Sequence, residues 1–134
     1  MKPKKTPAGL HGELGERAAA RYLLLRCYRI LERNWFFRHK EIDIIAKRGG
    51  TLVICEVKTR TRRGDSPSPY GTPSSAVDRE KIANLLQAAR AYIKESGWKK
   101  QVRMDVIEVY LAPASEDKRP RIQRIVHIKN AFTA

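Results

Sequence analysis

EIDIIAKRGGTLVICEVKT, residues 41 to 59, decides the fold. Two runs rich in β-branched residues, 41–47 and 51–59, flank Arg48-Gly49-Gly50, and a Gly-Gly pair between such runs signals a tight β-hairpin. With Gly49 and Gly50 as the central residues, Arg48 pairs with Thr51, and counting outward puts Asp43 opposite Glu56 and Glu41 opposite Lys58. Side chains alternate along a strand, so these four are expected on one face of the sheet, with Cys55 and Val57 on the other. Opposed residues have Cβ atoms about 4.5–5.5 Å apart, where two carboxylates repel unless something neutralises them.

Hard oxygen ligands at that separation suit Mg2+ or Mn2+, which need only one or two protein carboxylates plus water. Lys58, two residues beyond Glu56 on the same face, can orient or help deprotonate an attacking water, or stabilise charge building on a phosphate. The arrangement suits phosphodiester hydrolysis. The competing reading is a solvated ladder of cross-strand ion pairs. Leu52 and Ile54 weigh against it, because they share the face of Glu56 and call for a covering helix, leaving the charges at the rim of a buried surface.

Outward from the hairpin, GELGERAAARYLLLR (12–26) reads as a helix whose buried face is Leu14, Ala18, Tyr22 and Leu25. From Tyr28, YRILERNWFF favours a strand, followed by a turn at Arg38 to Lys40. RTRRGDSPSPYGTP (60–73) reads as a basic loop opening beyond Lys58, where Arg60, Arg62 and Arg63 can neutralise phosphates and Tyr70 can stack on an unpaired base. A second helix is expected from Ser75 or Asp78 to about Glu95, with Ile82, Leu85, Leu86, Ala89, Tyr92 and Ile93 as its buried stripe. Its Arg79, Lys81, Arg90 and Lys94 are expected on a solvated face. Strands 102–111 and 122–128 complete the order α-β-β-β-α-β-β around one mixed sheet.

The chain of 134 residues fits one domain, with residues 1–10 as a basic lead. Twenty-eight Lys plus Arg against fourteen Asp plus Glu leave +14, which favours a polyanionic partner, nucleic acid first. No apolar segment approaches the roughly 18 residues needed to span a bilayer, and Cys27 and Cys55 form no CxxC or Cys/His pattern, so a reducing cytoplasm is expected. His11, His39 and His127 are scattered and support neither a zinc hydrolase nor a triad. Trp35 and Tyr92 read as core, and Asp105 either as a support of the site or as a satisfied structural carboxylate.

Asp43, twelve intervening positions and Glu56-Val57-Lys58 resemble the D…(D/E)xK signature of the PD-(D/E)xK, restriction-endonuclease-like nucleases, and Glu16 in the first helix matches their additional upstream acid. Ile42, rather than proline, precedes Asp43. GELGERAAARYL, RNWFFRHKEIDIIA, LVICEVKTR, VDREKIANLLQAARAYI and HIKNAF are similar to the YraN-like family of uncharacterised bacterial proteins over nearly the whole chain. The resemblance implies an α/β fold with a restriction-endonuclease-like αβββαβ core, related to archaeal Holliday-junction resolvases, and a dimer acting on branched DNA. It also implies Asp43, Glu56 and Glu16 as metal ligands and Lys58 as the catalytic lysine; Glu41, opposite Lys58 by the hairpin count, is a supporting candidate. A noncatalytic nucleic-acid-binding module with the same fold is the alternative, and a protein scaffold a third reading.

Overall fold

The computed structural model describes residues 7–61, 76–112 and 121–132. In chain order the elements are α1 (Pro7–Leu25), β1 (Arg29–Phe37), β2 (Lys40–Arg48), β3 (Thr51–Thr61), α2 (Ala76–Ser96), β4 (Gln101–Leu111) and β5 (Ile122–Phe132). This is the expected succession. One sheet holds all five strands in the order β1-β2-β3-β4-β5. Every pairing is antiparallel except β3 with β4, which run parallel and are joined through α2.

A helix on each face explains why Leu52 to Glu56 and Met104 to Val109 are buried without interruption. On one side, Ala18, Ala19 and Leu23 of α1 pack with Ile44, Val53, Cys55, Ile107 and Val109. On the other, Leu85, Ala88 and Ala89 of α2 pack with Ile42, Ile45, Leu52, Ile54 and Met104. Trp35 and Tyr92 join this second core, meeting edge to face with centroids 5.2 Å apart.

Both helices end in recognisable stops. Cys27 takes a left-handed φ of 67°, its N–H returns to Leu24 O, and Tyr28 N–H reaches Leu23 O at 3.0 Å while its ring is buried. Gly97, at φ 73°, closes α2 through Ile93 O. Among the described residues no helix is long and apolar enough to cross a membrane.

Three expectations change. Leu25 is 72% exposed rather than buried, because α1 meets the sheet through Gly15, Ala18, Ala19 and Leu23, a stripe that leaves Leu25 on the outside. Arg60 belongs to β3 and not to a loop, since the β3–β4 pairing runs on to Thr61 opposite Leu111. The last strand extends to Phe132. Arg62, Arg63 and Tyr70 lie outside the described residues.

The close approach of α1 depends on Gly15, where a Cβ would fall on Thr59 Oγ1 and within 2.9 Å of Thr59 Cβ. Gly12, one turn earlier, has nothing within 4 Å of its Cβ position. Gly15→Ala is therefore expected to destabilise the fold by about 1–3 kcal/mol through overpacking. Gly12→Ala should instead gain up to ~1 kcal/mol of helix propensity. Urea denaturation midpoints of the two variants check the opposite signs.

Candidate functional site

The β2–β3 ladder has the register that the glycine pair dictates, from Arg48 with Thr51 to Ile44 with Cys55. There it stops. The next pair would be Asp43 with Glu56, but Asp43 Oδ2 instead accepts the Val57 N–H at 2.8 Å, so a carboxylate stands where a ladder carbonyl would be. On its other side β2 pairs with β1 through Arg33–Ile44 and Trp35–Ile42, and the intervening Asn34 has a positive φ of 51°. Asparagine tolerates that left-handed conformation better than most residues.

This kink reverses the expected facing of Asp43. Ile42 packs in the α2 core and Ile44 in the α1 core, although residues two apart on a straight strand share a face. Strict alternation had placed Asp43 beside Glu56 on one face. The structure places Asp43 at the split between the strands, lining a cavity of about 390 Å³ with His11, Gly12, Glu16, Val57 and Thr59 on the α1 side. Asn34 Nδ2 donates to Glu16 Oε1 at 2.7 Å and to Glu41 Oε2 at 3.1 Å, drawing those two carboxylates together. Glu56 faces α2, where Lys81 Nζ lies 2.8 Å and Lys58 Nζ 3.6 Å from its Oε1.

Asp43 couples the two halves electrostatically. Burial pushes its carboxyl up to about 7; the Val57 N–H opposes the shift, while Glu16, Glu41 and Glu56 add to it. Burial also lowers the pKa of Lys58, as does the neighbouring Lys81. Burial disfavours the charge of Lys81 as well, yet Glu56 more than compensates and its pKa is raised. Among the described residues no Lys, Arg or His nitrogen lies within ion-pair distance of Asp43, Glu16 or Glu41.

The four acids and the lysine of the expected site therefore gather around the strand split, Asp43 and Glu41 with Glu16 of α1 on one side and Glu56 and Lys58 towards α2 on the other. Sequence reasoning did not single out Asn34, gave His11 no role, and placed Lys81 on a solvated face, where it is exposed as expected yet pairs with Glu56. Lys81 precedes Leu85 by four residues, and that spacing puts it one turn ahead on the buried stripe. Asp105, by contrast, is a structural carboxylate. It is fully buried, 2.6 Å from His127 Nε2, and accepts from Arg103 Nε at 2.9 Å and from Asn130 N–H at 2.9 Å. Burial works against its charge, but these partners hold its pKa below the usual value. Arg60 Nε lies 3.6 Å from the buried Glu108.

Hard carboxylate oxygens around one raised carboxyl fit a divalent cation bound by one or two protein ligands and water. The fit does not extend to a preassembled cage, because among the described residues no three His, Cys, Asp or Glu side chains stand close enough to hold an ion together.

An α/β chain with a five-stranded mixed sheet between two helices, acids at the β2–β3 split and a lysine two residues beyond Glu56 has the restriction-endonuclease-like fold. The comparisons with known proteins then name the family. Residues 15–109 match the model of uncharacterised protein family UPF0102, and the chain belongs to that family. It is 40% identical to a UPF0102 protein of Caldanaerobacter subterraneus subsp. tengcongensis over 130 residues, 96% of this chain and 99% of the relative. A UPF0102 protein of Chlorobium chlorochromatii is 42% identical over 98% of this chain and 97% of its own length. One from Symbiobacterium thermophilum is 44% identical over 92% and 96% respectively.

The raised Asp43 has a stability consequence. Its folded pKa of about 7 lies above the ordinary 3.8, so the proton-linked stability is complete below about pH 4 and is lost as pH rises through 7. Asp43→Asn keeps an oxygen for Val57 N–H and removes the charge. In EDTA at pH 8 it should be more stable than wild type, by as much as ~4 kcal/mol, with the difference vanishing near pH 4. Thermal unfolding across pH measures this.

Proposed function

We propose that this protein is a Mg2+- or Mn2+-dependent endonuclease that hydrolyses DNA phosphodiester bonds. The observation that carries the reading is Asp43, a half-buried carboxyl that holds the Val57 N–H at the strand split in the company of Glu16, Glu41 and Glu56, the last of which is met by two lysines. Such a cluster is costly until a cation compensates it. Asp43 with one of Glu16 and Glu56 would hold the ion, the other acid and Glu41 in support; when bound, it neutralises negative charge on the phosphate and favours attack by water.

The protein's own groups supply the rest. Lys58, whose burial favours the neutral amine, accepts a proton from the attacking water as the new P–O bond forms. The opposite P–O bond breaks and the departing oxygen takes a proton from solvent. Lys81, whose Nζ lies 2.8 Å from Glu56 Oε1, would pair with a phosphate oxygen at the same opening. Arg60, Arg62, Arg63 and Tyr70 extend from Lys58 along the chain and would hold the strand to either side, drawing on the net charge of +14. Branched DNA, a homodimer and a cytoplasmic setting belong to the same reading.

One observation favours a second reading, a noncatalytic nucleic-acid-binding module. Glu56 already has two ammonium partners, which could serve in place of a metal. Incubation with branched, flapped and single-stranded DNA separates the two. Cleavage is expected with Mg2+ or Mn2+, abolished by EDTA, and reduced at least ~10³-fold in Asp43→Asn and Glu56→Gln while DNA binding persists. Binding without cleavage under either metal would establish the second reading instead.

A further inference from the structure

The β1–β2 hairpin carries an aromatic ring that the core does not use. Phe36 is 58% exposed and pairs with Glu41, one step before the Arg38-His39 turn. Its exposure is not the result of a loosely held hairpin. On the opposite face Trp35 packs against Tyr92, Phe37 joins the α2 core, and Lys40 Nζ donates to Gln87 Oε1 of α2. The hairpin is thus fastened along one side, and Phe36 is held outward on the other. Burying a phenylalanine is ordinarily favourable, so a ring held this way calls for a partner.

Three neighbours narrow the partner's chemistry. Arg33 is exposed and pairs with Ile44, whose side chain packs on the α1 side; it therefore shares the face of Phe36 and Glu41. Arg38 and His39, both exposed, form the tip. These cations and the charge of +14 favour a polyanion. Glu41, directly opposite the ring, repels a phosphate at that spot but not a neutral base, which distinguishes a nucleobase from a lipid headgroup. Glu41 also shares the Asn34 amide with Glu16, which puts the ring at the rim of the acidic cluster.

We propose that Phe36 is a stacking platform for an unpaired base next to the phosphate held at the Asp43 site, so that the substrate class is DNA with single-stranded or displaced nucleotides beside the scissile bond. The inference rests on reading that site as one that receives a DNA phosphate. A base in a paired stack offers no free face to the ring, whereas any unpaired base does, and stacking of this kind tolerates every base. The platform therefore selects for structure and not for sequence.

The test uses the full chain in EDTA, where cleavage cannot contribute. The probe is a DNA stem-loop with 2-aminopurine in the loop, compared with the same sequence as a complete duplex. Wild type is expected to quench the loop fluorophore. Phe36→Ala should lose the quenching and bind the stem-loop roughly tenfold more weakly, with unchanged duplex affinity and thermal midpoint. Phe36→Trp should retain both properties. Phe36→Ala binding the stem-loop like wild type, or losing stem-loop and duplex affinity in equal proportion, overturns the proposal, as does a Phe36-dependent association with anionic phospholipid vesicles in place of DNA. Failure of the nuclease reading looks different: no cleavage with Mg2+ or Mn2+ while the quenching persists.

Discussion

The hydrogen bond from Val57 N–H to Asp43 Oδ2 is the interaction on which the site depends. It ends the β2–β3 ladder and lets the strands part without leaving a strand N–H unsatisfied. It also fixes a carboxylate in the opening. Because the donor is backbone, the anchor does not vary with the side chain at position 57. Asn34 makes the matching adjustment on β1, taking a left-handed conformation at the step the β1–β2 pairing skips and tying Glu16 to Glu41.

That geometry divides the charges unevenly. Glu56 faces α2 with two lysines, so its charge is fully compensated there. Glu16, Glu41 and Asp43 lie towards α1, where their neighbours are an amide and a backbone N–H. Loss of water is the main reason the Asp43 carboxyl is raised, and Glu16, Glu41 and Glu56 add to it. On the proposed reading a divalent cation would offset that imbalance. The two-sided arrangement leaves three acids on one side of the split and one acid with two lysines on the other.

Much of this was legible in the sequence, for identifiable reasons. The glycine pair sets the hairpin register, and the observed pairing follows it residue by residue from Arg48 to Ile44. Leu52 and Ile54 announced a helix over the face they share with Glu56, and α2 covers it. What strict alternation could not convey is the facing of Asp43, because the break arises where Asn34 turns left-handed and Ile42 is drawn into the α2 core. Leu25 was misjudged since a helix packing through glycine and alanine sits closer and at a different rotation than one packing through leucine. Lys81 is exposed as its charge argued, and only its spacing from Leu85 hinted that it would reach Glu56. The role of Asp105 depended on His127, twenty-two residues away in sequence, and on tertiary contact through Arg103.

The most direct measurement of the central claim is anomalous diffraction from a crystal equilibrated with Mn2+ at pH 8. The account predicts one strong peak at the β2–β3 opening, in coordination contact at roughly 2.1 Å with Asp43 and with at least one of Glu16 and Glu56, the remaining positions being water. A crystal with no peak there, Asp43 still bonded to Val57 N–H and Glu56 still clasped by Lys81, would contradict it.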